Sequence, residues 1–459
     1  MKKIVLLGVF VLFLNSVSGQ NYYMENPEGF GAAATGGGTP TSANTVTVDT
    51  YAKLKTALTA TTTANSVILV SGIIDCSYTS VTLNNKTIIG LPGAKLRNVQ
   101  ITVTSNPPSA SDCTTSSANS GILYIKPGSK NVIIRNLIFE GPGAFDVDGR
   151  DNLTSEGTDI WVDHCEFQDG MDGNFDNKGA CDNTTISWCK FTYLKPAIAG
   201  GSGGSNDHRF TDLIGSSSTD FPSSDTGLGR YSITFKNCYW ADGCKERMPR
   251  ARNAELHILN CYYNTNVSGS LAIGLGGGVK NTTCYVENTD FAKIGTVYRS
   301  YISTDGGTVG IAFDGCLKGA ANVGTVSKPT YNYSVLPVTD VATYVTDINC
   351  GAGATLSVTS TGVISTSCPN LSTKNYQRNF GTIYPTSVDS NLNIDLSDSA
   401  SGDATITLFS ASGVKVYSSL KKINPSEKLS INVANLTKGL YLCQLKLGET
   451  TTTSKFIKK

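Results

Sequence analysis

Histidine is nearly missing. The 459 residues hold three, His164, His208 and His257. His164 and His257 fall inside short strand-like segments, which predicts core or wall positions for both. No Ser-His-Asp or Cys-His arrangement is suggested, so the sequence gives no support to acyl-transfer chemistry of that kind. Net charge is +1, which excludes a global field that recruits a polyanion; any basic site must be local. No nucleic-acid partner is expected. Beyond the N-terminus, no apolar run is long enough to span a bilayer. Long helical patterns are scarce, Asn-Gly hairpin signals are absent, and no twelve-residue EF-hand loop occurs.

What is present begins with Met1–Gly19. Lys2 and Lys3 precede an apolar run, Ile4–Leu14, and Val17-Ser18-Gly19 is a small-residue cleavage site. This reads as a signal peptide and predicts an exported, soluble mature chain starting near Gln20. Forty-seven glycines, with abundant Thr, Ser, Asn and Val, describe a β-rich chain with tight turns.

WVDHCEF (161–167) and ISWCKF (186–191) are one strand pattern written twice, and NVIIRNLIF, SITFKNCYW, ELHILNCYY and TCYVENTDF repeat it. Their aromatic ends, Phe139, Phe167, Phe191, Trp240, Tyr263 and Phe291, are separated by 28, 24, 49, 23 and 28 residues. Steps of 23–28 are too short for a βαβ unit and suit one turn of a solenoid. The expected fold is therefore all-β, a right-handed parallel β-helix solenoid, with an antiparallel β-sandwich as the alternative. The long step contains GGSGGSNDHRFTDLIGSSSTD, whose DLIG reads as an extra strand. Tyr51, Leu54 and Leu58 share a helical face, which predicts a helix capping the solenoid's open end; SVILVSGII reads as one buried strand. Cys165, Cys189, Cys238 and Cys261 occupy equivalent places, so a buried stack of thiols is expected. Among the thirteen cysteines, Cys76–Cys113 and Cys238–Cys244 remain open as bridges. After Tyr331 a return segment should pack along the outside. The expected boundaries are 1–19 signal peptide, 20–370 solenoid, 371–386 linker, and 387–459 a small C-terminal antiparallel β-sandwich.

Two charged clusters carry chemistry. Asp148, Asp151, Asp172 and Asp176 lie on Gly-rich turns of adjoining repeats. Crowded carboxylates repel unless a cation sits among them, and Ca²⁺ accepts oxygen ligands in flexible numbers; Asp is also common in plain turns. Downstream, KERMPRARN holds Arg247, Arg250 and Arg252, which suit a polymer rich in carboxylates. If Glu246–Ala251 is extended, Arg250 and Arg252 point one way and Arg247 the other, unless Pro249 bends the chain. Lys195, on the next loop from Asp176, is a further cation.

From about Glu28 to Gly353 the chain resembles the pectate lyase family, through EGFGAAATGG, NNKTIIGLPGAKL, WVDHCEF, DGNFDNKGACDNTTISW, LIGSSSTD and RMPRARNAELHILNCYY. The resemblance implies a parallel β-helix that cleaves de-esterified polygalacturonate by calcium-dependent β-elimination. It assigns Ca²⁺ to Asp172, Asp176 and Asp151, with Asp148 as a possible extra ligand. It assigns the base to Arg247 and substrate binding to Lys195 and Arg252, beside which Arg250 lies. Asp163 is implied to be structural. The family often stacks asparagines where this chain has Cys165, Cys189, Cys238 and Cys261. Residues 387–459, from YPTSV to LTKGLYLCQL and KFIKK, resemble type IX secretion sorting domains of Bacteroidetes, which implies a secreted, extracellular or cell-surface protein that meets that machinery; a monomer is expected. A polygalacturonase, a pectin lyase acting on methylated polymer, and a non-catalytic β-helical carbohydrate-binding protein remain open alternatives.

Overall fold

The strand repeat becomes coils. The computed structural model describes residues 22–98, 120–147, 149–222, 229–366, 368, 381–396, 401–447 and 450–459. The chain divides into two compact units, one spanning Gln20–Asn370 and the other containing Leu371–Lys459. In the first, three parallel sheets of ten, eight and eight strands form the walls of a parallel β-helix. All strand pairs in these sheets are parallel, so the antiparallel alternative does not hold for this unit.

Register follows the repeat. Phe139, Phe167 and Phe191 pair in line, as do Phe191, Trp240 and Tyr263. Their rings stack inside the coil at 5.0, 5.3, 5.4 and 4.5 Å, and Phe291 continues the ladder 4.7 Å from Tyr263. Each such pair contributes about 0.5–1.5 kcal/mol beyond its buried area. The thiol stack is present: Cys165, Cys189, Cys238 and Cys261 are fully buried and free. Each donates to a carbonyl of the preceding coil, those of Ile134, Val162, Ile186 and Phe235 respectively. Burial raises the Cys189 and Cys238 thiols well above their ordinary range. Cys76, Cys238 and Cys244 are free thiols, so the open Cys238–Cys244 bridge is not formed, and Cys113 lies outside the described residues. A disulfide joins Cys350 and Cys368 instead.

One residue before each of these four cysteines, and at the equivalent place before Leu137 and Thr289, the coil turns a corner in the left-handed region. Asn136, His164, Trp188, Asn237, Asn260 and Asn288 hold this place with φ between 42° and 58°. Asparagine tolerates that conformation better than most residues. The chain's stacked asparagines thus sit beside the thiols, one position earlier, and not in their place.

The helix Tyr51–Thr59 buries Leu54, Ala57 and Leu58, with Tyr51 partly buried against the same core, as the pattern required. SVILVSGII departs from expectation. It forms two strands, Val67–Val70 and Ile73–Cys76, because Gly72 turns at φ 70° between them. DLIG does form a strand, though not one added to the coil. Leu213–Ile214 is the long coil's own contribution to the second sheet, pairing with Asn177 and with Arg250–Ala251. The return segment does run along the outside: Tyr331 hydroxyl meets His257 Nδ1 at 2.6 Å, Leu336 bonds Asn260, Gly353 N donates to Trp188 O, and Leu356 N donates to Asn136 Oδ1.

In the second unit a three-stranded antiparallel sheet (Gly381–Tyr384, Asn391–Leu396, Lys428–Asn432) accompanies a five-stranded one. Alternate residues such as Leu392, Ile394, Ile406, Leu408, Ile431 and Phe456 fill its core. Among the described residues, the departure from antiparallel pairing in this unit is Ser387–Val388, parallel to Ile457–Lys458.

Candidate active site

The second sheet of the solenoid, whose strands include Leu153–Ser155, Phe175–Asn177, Leu213–Ile214, Arg250–Ala251 and Leu271–Leu275, positions the charged clusters. Asp151 precedes its strand by two residues, and Asp176 is on the neighbouring strand, where Thr154 pairs with it. Both carboxylates are buried, 4% and 5% exposed. A Cβ on Gly173 would lie 2.9 Å from Asp151 Oδ1 and 3.1 Å from Asp176 Oδ1, so the missing side chain leaves room for the two oxygens to converge. Asp151 Oδ2 accepts from Thr154 at 2.7 Å, but among the described residues Asp151 Oδ1 has no hydrogen-bond partner. Asp176 Oδ1 accepts from Leu213 N at 2.9 Å. Burial, and then the charge of Asp172, push the Asp151 carboxyl up to about 6. Burial, and then Asp151, raise Asp176 well above the usual carboxylate range. A buried, partnerless carboxylate oxygen beside a second repelled carboxylate is the donor set that a hard divalent cation completes.

Asp172 stands apart from that pair. Its side chain is 31% exposed and its Oδ1 lies 3.1 Å from His208 Nε2. Although burial works against it, this hydrogen bond and the His208 charge hold its carboxyl below the usual range. Among the described residues, the trio of His, Cys, Asp or Glu whose ligand atoms all fall within 4.8 Å is Asp347, Cys350 and Cys368, and its two sulfurs are already joined to each other. The three aspartates are therefore neighbours without being drawn to a single point. Asp148 lies outside the described residues.

The arginine segment does not alternate. Arg247 sits at φ 58°, held by two hydrogen bonds to its carbonyl, from Asp212 N at 2.7 Å and from the Thr211 hydroxyl. That left-handed turn, with Pro249 after it, undoes the two-residue period, and Arg247, Arg250 and Arg252 all line one cleft of about 350 Å³ with Phe210, Glu246 and Tyr301. Their partners differ. Arg250 pairs with Asp305 and lies 3.9 Å above the Tyr301 ring. Arg252 Nε is 3.1 Å from the same Asp305, and its Nη1 donates to Gly215 O at 2.9 Å. Among the described residues, the Arg247 guanidinium has no ion pair or hydrogen bond; it rests 4.7 Å from the Phe210 ring centre. Lys195 is more engaged, with Nζ 2.7 Å from Gly141 O and 3.6 Å from Glu140 Oε1.

Asp163 is fully buried on the ten-stranded sheet, where Arg135, His164 and Ser187 all bond it. His164 is buried against Trp188, and His257 lies in the wall.

Residues 12–356 match the family model described as pectate lyase. The chain belongs to the pectate lyase family. Residues 382–459 match the secretion system C-terminal sorting domain. Among curated relatives, a pectate trisaccharide-lyase of Thermotoga sp. (strain RQ2) is 32% identical over 199 residues, which cover 41% of this chain and 44% of the relative. The chain thus spans less than half of that relative's length. Pectate lyase D of Dickeya chrysanthemi is 27% identical over 365 residues, 70% of this chain and 86% of the relative. A solved pectate lyase from Paenibacillus sp. 0602, 18% identical, superposes with a TM-score of 0.51 over 73% of this chain and 97% of the other, which supports the β-helical fold.

Three residues at this site were not singled out from the sequence. Asp305 lies more than fifty residues beyond the arginines it pairs with, and no motif marks it. His208 sits in an insertion whose path the sequence does not fix. Lys178 was within reach: it follows Asp176 by two residues on an extended segment, hence on the same face. Burial lowers the pKa of its ammonium, but Asp151 and Asp176 more than restore it.

Proposed function

We propose that the chain is a secreted pectate lyase that cleaves de-esterified polygalacturonate by calcium-dependent β-elimination, with Arg247 as the base. The observation that supports this most directly is the contrast among the three arginines. Asp305 pairs with both Arg250 and Arg252, while Arg247 faces the same cleft with its guanidinium unpaired among the described residues. In the elimination, the C5 proton of a galacturonate passes to the base, the C4–O bond breaks with its electron pair leaving on the departing sugar, and a C4–C5 double bond forms. Arg247 meets the C5 proton; Arg252, Arg250 and Lys195 bind the substrate's carboxylates. Asp151, Asp176 and Asp172 would hold the calcium, and Asp151 Oδ1, without a hydrogen-bond partner among the described residues, fits that role. A hard divalent cation bound there supplies Lewis-acid withdrawal from a substrate carboxylate, which acidifies the proton to be removed. Arginine gives up its proton reluctantly, so this reading includes an alkaline rate optimum.

The matched sorting domain supports export, and the proposed division is 1–19 signal peptide, 20–370 lyase domain, 371–386 linker and 387–459 sorting domain recognised by type IX secretion machinery. Among the described residues no helix is long and apolar enough to cross a membrane. We assign the protein as a monomer outside the cell or at its surface.

The test is incubation with polygalacturonate or methylated pectin, with and without chelator, read by absorbance of the unsaturated product. Calcium-dependent absorbance from polygalacturonate is expected. New reducing ends without absorbance would make the enzyme a hydrolase, which needs paired carboxyl groups in place of the arginine. Chelator-resistant absorbance from methylated pectin would make it a pectin lyase.

A further inference from the structure

The long coil carries a segment, Ile198–Phe210, between the strands Lys190–Thr192 and Leu213–Ile214. It is built around Asp146. The Asp146 carboxylate accepts from Ser205 N at 2.6 Å, and its carbonyl accepts from Gly203 N at 2.9 Å. A Cβ on Gly203 would fall 2.1 Å from Asp146 Oδ1, so only glycine lets the loop close this tightly. Its far end is tied to the arginine segment by the Phe210–Glu246 bridge and by Asp207, which pairs with Arg209 and Lys245. From this fixed loop projects His208, 4% exposed and packed 4.1 Å from Phe210. Its Nε2 meets Asp172 Oδ1 at 3.1 Å. Its Nδ1 lies 3.1 Å from Asp146 Oδ1, out of line for a hydrogen bond. Asp172, by contrast, stands in the turn Gly170–Gly173, and among the described residues His208 provides the one hydrogen bond to its carboxylate.

We propose that His208 is a positioning residue for the calcium centre: the inserted loop uses its imidazole to hold the Asp172 carboxylate beside the buried Asp151–Asp176 pair. The inference rests on the calcium reading above. Two observations point to the same place. Among the described residues Asp151 Oδ1 is buried with no hydrogen-bond partner, and Gly173, next in sequence to Asp172, leaves room for that oxygen to converge with Asp176 Oδ1. A carboxylate on a glycine-rich turn gives up side-chain freedom when it becomes a ligand. A hydrogen bond made beforehand removes part of that cost and aims the oxygen, as outer-shell partners of metal ligands do. His208 itself is not a ligand, because its two nitrogens face different carboxylates on opposite edges of the ring.

The experiment is a calcium titration of the full chain without substrate, read by displacement of Tb³⁺ luminescence, beside metal-free thermal melts. His208→Phe keeps the ring against Phe210 but has no nitrogen for Asp172. It is expected to weaken calcium affinity about 10- to 100-fold while the metal-free melt stays close to that of the unaltered protein. His208→Gln, whose amide can donate to Asp172, is expected to recover most of that loss, which a purely structural role would not allow. If His208→Phe fails to fold, His208→Asn, polar but too short to reach, makes the same comparison. Wild-type affinity in the Phe or Asn variant, with binding lost in Asp176→Asn, would overturn the role of His208 alone. Unchanged affinity in Asp176→Asn would overturn the calcium centre and this inference with it.

Discussion

Replacing Arg247 by lysine separates catalysis from stability. Among the described residues the guanidinium has no ion pair or hydrogen bond, and its contact with the protein is the Phe210 ring at 4.7 Å. A cation over an aromatic ring at a partly exposed site is worth about 0.5–1 kcal/mol, and lysine retains a cation there. The fold should therefore lose less than about 1 kcal/mol. The rate should fall far more. A positioned general base contributes about a hundred- to ten-thousand-fold, equivalent to about 3–5 kcal/mol of barrier. Lysine keeps the charge but has neither the reach nor the planar fork of arginine. Initial rates of unsaturated-product formation across neutral and alkaline pH should show the loss in kcat, with KM little changed, because the groups assigned to ground-state binding are untouched. A thermal melt of the same preparation should stay within a few degrees of wild type. Near-normal kcat in Arg247→Lys would refute the assignment and move attention to Lys195 or a metal-bound water.

Three further outcomes are expected. Lys195→Ala should raise KM for polygalacturonate more than it lowers kcat, since a charge that pairs with ground-state carboxylates acts on both states alike; a loss confined to kcat would contradict this. Burial alone would raise the pKa of Asp163, but the His164 and Arg135 charges, with hydrogen bonds from His164 and Ser187, hold it from an ordinary 3.8 down to about 2. A depressed folded value stabilises the protein above pH 3.8, and the contribution of about 2 kcal/mol is lost as pH falls toward 2; denaturant unfolding at stepped pH should show this acid limb in wild type and not in Asp163→Asn. Truncation near Arg378 should leave a folded, active lyase that its native host no longer exports, checked by activity in cell and culture fractions.

The coils were legible because one periodic signal carried both strand and register. Aromatic residues recur at steps of 23–28 with a single long exception, and the rings stack where that spacing put them. The cysteines were legible for the same reason, since equivalent positions in a solenoid must lie above one another. The site was legible as residue types and less so as geometry. Alternation set Arg247 opposite Arg250 and Arg252, and a left-handed Arg247 brought all three into one cleft. That conformation is fixed by Thr211 and Asp212, more than thirty residues away in sequence. Asp305 and His208 were missed because their partners are set by tertiary packing. Gly72 broke the expected single strand because a corner was needed there.

The distribution of regularity explains how such a site is tolerated. Asp151 and Asp176 bring like charges together in a buried setting, and Arg247 occupies a backbone region that L-residues avoid at about 1–2 kcal/mol. Neither feature favours folding on its own. Asp176 is the middle residue of a three-residue strand, and Asp151 and Arg247 stand just before strands of three and two residues, where backbone pairing contributes little. The opposing walls are the regular part: six-residue strands pairing coil to coil, a continuous aromatic ladder, and thiols bonded to the carbonyls of the preceding coil. A structure over-determined on two walls can hold strain on the third. The unfavourable features therefore collect on the groove side, where repelled carboxylates and a guanidinium unpaired among the described residues await oppositely charged partners. The polymer and the cation proposed here meet both needs at once: the cation relieves the carboxylates, and the polymer's own carboxylates bring the charge that the protein withholds from Arg247.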